Sequence, residues 1–296
     1  MVLKDYDVVE EKREIIVPES REEQLLKLFQ GTLLTEGKSS RSIYTYTRTV
    51  VRFREYINKP ITEATTMDIR VWLAYMQAQV SLATCENYRL YLSAFFQWLT
   101  VEEFIDKNPM VKVKPIKHLK KEQLAFSSTE IDAIRSACGS VRNRAVIELL
   151  LSSGVRVEEL TNLNKSDVNF STLEVHVKCG KGGKARTTYM SEIAAMHLQK
   201  YLDTRNDESE AVFISNKRGR ISTGCIREAC HNLEKVSGVE NIHPHRFRRT
   251  FATNLWSRGM DIRTIQILMG HSNINTTMTY IANDGERVKA EYKRHA

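Results

Sequence analysis

Apolar residues recur at helical spacing through the first hundred residues, and no alternating β pattern competes with them. Ser20 and Glu23 form a capping-box pattern that predicts the start of a first helix. Three more helices are predicted, over residues 39–57, 67–80 and 83–100. The segment 20–106 therefore favours a four-helix unit.

The third and fourth predicted helices indicate which face is buried. In the third helix, Trp72, Tyr75 and Met76 share one face. The fourth helix carries an apolar stripe at helical spacing, with polar residues opposite it. The stripe comprises Tyr88, Tyr91, Leu92, Phe95 and Leu99, and the outward positions are Glu86, Arg89, Ser93 and Gln97. We interpret the stripe as core rather than as a base-stacking platform, and Lys or Arg on the polar faces are candidates for phosphate contacts.

Residues 107–123 contain two prolines and a run of lysines with almost no acidic residues. This composition predicts an exposed, extended linker. A solvated spacer would account for it, although a basic segment between two basic domains is also placed to lie along a phosphate backbone.

From Ser127 onward the pattern changes to mixed α/β. Two runs of alternating residues, 173–179 and 186–191, flank a glycine-rich stretch and predict a β-hairpin with a flexible tip. Helices are predicted over residues 128–138, 141–153, 191–202, 223–236, 244–259 and 261–270, and residues 211–215 are predicted as a lone strand. The chain is thus expected to be mainly α with a small β-sheet.

The composition suits a globular protein of about two domains. Of 296 residues, 42% are hydrophobic and 27% charged, with no run of 18 apolar residues and no signal-peptide core. Five irregularly spaced cysteines without a C-x-x-C pair indicate reduced thiols. The nearest metal-ligand pattern, Cys225, Cys230 and His231, lacks a second pair, so no metal is expected. We expect a cytoplasmic protein.

The formal net charge is +8, although the first twenty-odd residues are acidic. The rest of the chain is therefore more basic than the total suggests. An excess of this kind indicates a polyanionic partner, either nucleic acid or an anionic membrane surface, and a solvated basic surface is the alternative.

Two stretches of the second half offer cations at places that suit phosphate binding. Arg156 follows a helix-ending glycine and precedes a helix carrying Glu159, where a guanidinium can bind phosphate with two hydrogen bonds. The predicted hairpin tip carries Lys181 and Lys184, but its sequence does not fit a Walker loop, so nucleotide binding finds no support. A mobile lysine there could protonate a leaving oxygen, and a solvated turn is the alternative.

The stretch HPHRFRRTFATNLW begins a predicted helix at Pro244. His245 and Arg248 are three residues apart and share a face, whereas Phe247 and Phe251 are expected to pack inward. A histidine and an arginine near a helix N-terminus make a suitable anion site.

The stretch LMGHSNINTTMTY contributes His271 and Tyr280. In one continuous helix these residues, nine apart, would lie on opposite faces. Gly270 predicts a helix end and Asn275 a new N-cap, which would place Tyr280 on a separate short helix.

Together these stretches supply arginines, histidines, a lysine and a tyrosine, without a carboxylate cluster to hold magnesium. This set suits metal-free phosphoryl transfer. Arginines neutralise a phosphodiester, a tyrosine surrounded by cations becomes a nucleophile, and a lysine or histidine protonates the departing hydroxyl. The phosphotyrosine would conserve the bond energy, so no ATP or other cofactor is expected.

The ordered set SSGVRVEEL, GKGGKAR, HPHRFRRTFAT and LMGHSNINTTMTY resembles the tyrosine recombinase (phage integrase) family, over roughly residues 20 to 285. The resemblance implies that Tyr280 attacks the scissile phosphate to give a 3′-phosphotyrosyl link. Arg156 and Arg248 would clamp the phosphate. His245 and His271 would share hydrogen bonding and proton handling. Lys181 would act as the acid toward the 5′-oxygen, with Lys184 as the weaker rival for this role. Glu159 would support the arginine and histidine from behind.

The resemblance also implies an N-terminal four-helix core-binding (SAM-like) domain and a C-terminal α+β catalytic domain. The expected boundaries are an acidic tail at 1–19, the core-binding domain at 20–106, a basic linker at 107–125, the catalytic domain at 126–285 and a C-terminal tail at 286–296 that could contact a neighbouring subunit. The short N-terminal tail is similar to that of Xer-type recombinases and compact transposon integrases.

The implied partners are double-stranded DNA with paired recombinase sites and further copies of this chain, four of them on two duplexes. The implied location is the prokaryotic cytoplasm, on the nucleoid. A type IB topoisomerase with the same phosphotyrosine chemistry and a catalytically silent DNA-binding relative are the two alternatives. The target sequence and the biological role are not indicated by the residues.

Overall fold

The computed structural model of the chain describes residues 20–117, 124–178, 185–217, 219–271, 273–281 and 292–293, and at positions 275 and 279–281 it describes the main chain only. Contacts divide the chain into two compact units, Met1–Lys121 and Glu122–Ala296. Across the described residues, no helix combines the length and the apolar character needed to cross a membrane.

The first unit contains the four predicted helices. They are α1 (Arg21–Thr35), α2 (Ser40–Ile57), α3 (Thr66–Gln77) and α4 (Leu82–Val101). The predicted capping box at the start of α1 is present, because the Ser20 side chain accepts from the Glu23 main-chain N–H and the Glu23 carboxylate accepts from that of Ser20. A Thr65–Asp68 pair starts α3 in the same way. Side-chain caps thus satisfy amide groups that the first helical turn leaves free.

The core of the first unit is aromatic, and two predicted side-chain positions were wrong. Arg89, expected to face outward, is 9% exposed, because its guanidinium is neutralised by two hydrogen bonds to Glu86 at 2.8 and 2.6 Å. Tyr75, expected on the face of Trp72 and Met76, is 50% exposed and instead packs against the ring of Tyr56 at the surface.

The first part of the predicted linker is not an exposed spacer. Met110 and Val113 are buried in the core of the first unit, and Asn108 caps the turn that leads to them by accepting from the Met110 N–H at 2.8 Å. Its prolines and lysines predicted exposure, but two apolar residues among them are buried, and hydrogen bonds such as that from Arg70 to the Lys112 carbonyl at 2.8 Å also hold this stretch on the helices. Residues 118–123 lie outside the described part of the chain.

The second unit is α+β. Its helices are α5 (Ser128–Ser136), α6 (Val141–Ser153), α7 (Val157–Asn162), α8 (Glu192–Asp203), α9 (Thr223–Ser237), α10 (Pro244–Ser257), α11 (Ile262–Met269) and α12 (Ile274–Ile281), and its strands are β1 (Val168–Asn169), β2 (Glu174–Val177) and β3 (Arg186–Tyr189). The strands form an antiparallel sheet in the order β1-β2-β3. The mainly helical fold with a small sheet is therefore confirmed.

The predicted hairpin is β2–β3, with Val175 opposite Thr188. The lone strand predicted at 211–215 was wrong, since only isolated bridges, such as Asn164 with Ala211, occur there. That stretch is nevertheless buried, and its main chain is satisfied by loops: the Val212 N–H donates to the Leu163 carbonyl at 2.9 Å. Burial rather than strand pairing explains its apolar sequence.

Candidate active site

The first part of the site is the junction between α6 and α7. Gly154 ends α6 with φ +62°, a left-handed conformation that favours glycine, as predicted. Arg156 follows as the N-cap residue of α7, and its main-chain N–H donates to the Glu159 carboxylate at 2.7 Å. The Arg156 guanidinium donates to the same carboxylate at 2.8 Å. Glu159 therefore holds both the main chain and the side chain of Arg156.

The second part of the site is the first half of α10. Pro244 starts this helix, and Phe247 and Phe251 are buried as predicted. Arg248 is 2% exposed, and its guanidinium donates to the carbonyl oxygens of Gly154 and Met269. These two carbonyls end different helices, so Arg248 ties the α6–α7 junction to the end of α11.

The third part of the site is the break between α11 and α12. Gly270 ends α11 with φ +63°, and His271 follows it. The predicted break is present, but α12 begins at Ile274, so Asn275 lies inside the helix and is not its N-cap as predicted. The predicted N-cap is two residues too late, within the range in which sequence patterns leave helix ends undefined. Tyr280 belongs to α12, where the main chain alone is described.

A hydrogen bond connects His271 to α12. The Nδ1 atom of His271 lies 2.8 Å from the hydroxyl of Thr277, which is fully buried. α12 also packs against α10 and α11. The helix that carries Tyr280 is therefore attached to a candidate catalytic histidine one turn before the tyrosine. Sequence reasoning missed Thr277, although it lies within the quoted motif.

A buried ion-pair network completes the site, and its central arginine was also missed. Arg186, the first residue of β3, donates to both oxygens of Glu159 at 2.8 and 2.7 Å. Its Nε also donates to the Leu268 carbonyl at 2.8 Å. The available signal was its place as the last residue of the quoted stretch GKGGKAR, directly after the hairpin tip.

The electrostatics show that the arginines and histidines share one environment. Burial, followed by the charges of Arg248 and Arg156, lowers the pKa of His271 to about 3. Burial lowers the pKa of His245 as well, followed by the charges of Arg248 and Arg249, and Arg156 contributes less. Both imidazoles are therefore neutral near pH 7 and can accept or donate a hydrogen bond.

The structure brings together the described members of the predicted set, Arg156, Glu159, His245, Arg248 and His271. Lys181 and its rival Lys184 lie outside the described residues. In the described part of the chain, no group of three His, Cys, Asp or Glu side chains is placed to hold a metal ion. The arrangement presents two arginines and two neutral imidazoles, which is suited to binding an anion and handling a proton.

Two family models match the chain. The model described as the phage integrase family matches residues 117–287, and that of the phage integrase N-terminal SAM-like domain matches residues 25–106. These matches confirm the predicted fold of each half.

Individual relatives agree. Tyrosine recombinase XerC of Leptospira interrogans is 31% identical over 294 residues, covering 93% of this chain and 94% of the relative. Tyrosine recombinase XerA of Pyrococcus horikoshii is 32% identical over 260 residues, covering 86% and 88%. A crystallised lambda integrase dimer bound to a core site shares the fold, with a TM-score of 0.75 at 20% identity over 89% of this chain and 96% of that one. The chain belongs to the phage integrase family of tyrosine recombinases and is of the Xer-like type.

Proposed function

We propose that this protein is a site-specific DNA recombinase that cuts and rejoins duplex DNA through a 3′-phosphotyrosine intermediate, without ATP or a metal ion. The observation that carries the proposal is the convergence of Arg156, Arg248 and two neutral histidines beside the helix of Tyr280. Family membership supports the same reaction.

Arg156 and Arg248 bind the scissile phosphate. Their guanidinium groups are already oriented: Arg156 donates to Glu159 and to the Gly270 carbonyl at 2.9 Å, and Arg248 donates to two helix-ending carbonyls. Because these contacts fix the cations before DNA binds, little reorganisation is needed when negative charge builds up on the phosphate oxygens.

Tyr280 is the nucleophile. Its phenolic oxygen attacks phosphorus, the bond from phosphorus to the 5′-oxygen breaks, and the 3′-phosphate becomes linked to the tyrosine. His245 and His271 accept hydrogen bonds, one of the two takes up the single phenolic proton, and Lys181 donates a proton to the departing 5′-oxygen. Attack by another 5′-hydroxyl on the phosphotyrosine reverses these steps and joins the strands.

The proposed partners are two DNA duplexes and other copies of this chain. Exchange between two duplexes needs four strand cleavages, which implies a tetramer on DNA. The crystallised lambda integrase is a dimer on a core site. We assign DNA binding to residues 20–106 and catalysis to residues 126–285, joined by the basic segment 107–125. Residues 1–19 and 286–296 are assigned as tails, and the site of action is the cytoplasm, on the nucleoid.

Integration, excision, inversion and dimer resolution all use this chemistry, and the DNA sites decide among them. Names of two relatives favour a Xer-like role. Candidate sites can be selected by binding from genomic fragments that flank the gene, because sites of such recombinases are read through groove contacts and DNA deformability.

The test is covalent trapping on a nicked duplex that carries a selected site, so that the short cleaved strand diffuses away. We expect the wild type to form a protein–DNA adduct, Tyr280→Phe to form none, and Tyr292→Phe, which changes an exposed tyrosine near the C-terminus, to form it normally. An adduct with Tyr280→Phe would show that the nucleophile is wrongly assigned. Sequence-specific binding without any adduct would favour the silent relative, and relaxation of supercoils without site preference would favour the topoisomerase.

A further inference from the structure

Arg186 is a buried arginine to which the proposed reaction assigns no role. It is the first residue of β3, and its side chain is 8% exposed. All three of its guanidinium nitrogens donate hydrogen bonds, two to Glu159 on α7 and one to the Leu268 carbonyl on α11. A long charged side chain is seldom buried unless it is paired in this way.

The contacts of Arg186 form a closed ring with those of Arg156. Arg186 donates to Glu159, Glu159 accepts from the main chain and guanidinium of Arg156, and Arg156 donates to the Gly270 carbonyl. The Arg186 stem in turn lies against Gly270, where a Cβ atom would come within 2.9 Å of the Arg186 Cδ. Arg186 therefore contacts both of the groups that orient the Arg156 guanidinium.

The charges of this ring favour the same role. Glu159 and Arg156 alone would form a neutral pair, and a neutral pair attracts a phosphate weakly. Arg186 supplies a second positive charge to the same carboxylate, and its fork satisfies both carboxylate oxygens. The three side chains together carry one net positive charge, and Arg156 is the more exposed of the two arginines, at 23% against 8%.

We propose that Arg186 is a positioning residue for DNA cleavage: it fixes Glu159 and the Gly270 peptide, thereby orients Arg156 toward the scissile phosphate, and leaves the three side chains with one net positive charge. This proposal rests on the proposed function. Arg186 itself is buried, with all three guanidinium nitrogens bonded within the protein, and is not assigned a contact with DNA.

The first test compares two scissile groups in single-turnover cleavage, an ordinary phosphate and a methylphosphonate, which lacks one of the charged oxygens. We expect Arg186→Gln to slow cleavage of the phosphate by about 10- to 100-fold, since misplacement of a catalytic group by roughly 1 Å has effects of this size. On the methylphosphonate, where there is less charge for Arg156 to neutralise, the defect should shrink several-fold. Arg156→Gln should show the same pattern. Equal defects of Arg186→Gln on the two substrates would overturn the proposal.

A matched control is available in the same unit. Glu148 is buried and shared by two arginines, and Arg135 donates to both of its oxygens at 2.9 Å, as Arg186 does to Glu159. Arg135→Gln should therefore weaken the fold in a comparable way and leave the ratio of the two cleavage rates unchanged. A changed ratio in Arg135→Gln would mean that general loosening of the unit explains the effect, and the proposal would be rejected.

A double variant separates charge from fold. Adding Glu159→Gln to Arg186→Gln removes one negative and one positive charge and returns the ring to a net charge of one, so we expect cleavage of the phosphate to recover at least threefold over Arg186→Gln. No recovery would refute the charge argument. Arg186→Lys keeps the positive charge but loses the paired hydrogen bonds of the guanidinium, so we expect a cleavage rate between those of wild type and Arg186→Gln. A rate equal to that of Arg186→Gln would also refute the charge argument. If the wild-type protein forms no Tyr280-dependent adduct, the proposed function fails. If the wild type forms the adduct and the Arg186 variants cleave at the wild-type rate, only the proposal about Arg186 fails.

Discussion

The hydrogen bond between Thr277 and His271 gives the sharpest prediction about how α12 contributes to the site. The Thr277 hydroxyl lies 2.8 Å from Nδ1 of His271, and the Thr277 side chain is fully buried. Thr277→Val replaces that hydroxyl with a methyl group of similar shape. The change therefore removes this hydrogen bond and leaves the packing of α12 largely intact.

The expected magnitude follows from burial and from the charge state of His271. Burial and the neighbouring arginines hold the pKa of His271 at about 3, so the ring is neutral near pH 7 and one of its nitrogens carries the proton. The contact with Thr277 at Nδ1 fixes the tautomer and the orientation of the ring, and thereby decides what the other nitrogen, Nε2, can donate or accept. Loss of a hydrogen bond in a buried site costs about 1–3 kcal/mol. If about 1–2 kcal/mol of this falls on the transition state, cleavage slows by roughly 5- to 30-fold.

The assay is the single-turnover formation of the covalent adduct, together with urea unfolding followed by circular dichroism. Thr277→Ser keeps a hydroxyl and should cleave within about threefold of wild type, since about 0.6 kcal/mol corresponds to that factor. Thr49→Val is the matched control: this buried threonine in α2 donates only to the Thr45 carbonyl of its own helix, at 2.9 Å. Wild-type cleavage by Thr277→Val, with a stable fold, would refute the role of this bond.

Two further predictions concern stability. Gly154→Ala should lower the free energy of unfolding by about 2–5 kcal/mol, because the φ of Gly154 is +62° and a Cβ would lie 2.2 Å from the Phe251 ring. Thermal unfolding checks this against the control Gly139→Ala, where a Cβ meets no atom within 4 Å. Similar melting temperatures for the two variants would contradict the prediction. Burial raises the pKa of Glu159, but hydrogen bonds from Arg186 and Arg156 outweigh burial and lower the pKa from its ordinary 4.5 to about 2. The ionised carboxylate therefore stabilises the fold fully above pH 4.5, and this stabilisation is lost as the pH falls toward 2. Urea midpoints between pH 5 and 2 should therefore fall less steeply for Glu159→Gln than for wild type, and parallel curves would exclude this contribution.

Sequence patterns were sufficient wherever local chemistry decides the structure. The capping box at Ser20 and the left-handed glycines 154 and 270 are read from neighbours a few residues away, and all three are present. The errors had two origins. The burial of Arg89 depends on side-chain pairing with Glu86, which spacing alone does not reveal, and the stretch 211–215 is no strand because its main chain bonds to a distant loop at Leu163.

The site divides along the same line. Arg156, Arg248 and His271 belong to motifs whose spacing is informative, and the fold places them together. Arg186 stood at the end of a quoted motif, but its role was not readable there, because its partners lie 27 and 82 residues away along the chain and the role exists only after β3, α7 and α11 have met. A motif therefore identifies the groups that would touch the phosphate, but the arginine that leaves the Arg156–Glu159 pair with a net positive charge must be found in three dimensions. For this reason, loss of Arg186 should alter the chemistry of cleavage more than the architecture of the unit that contains it.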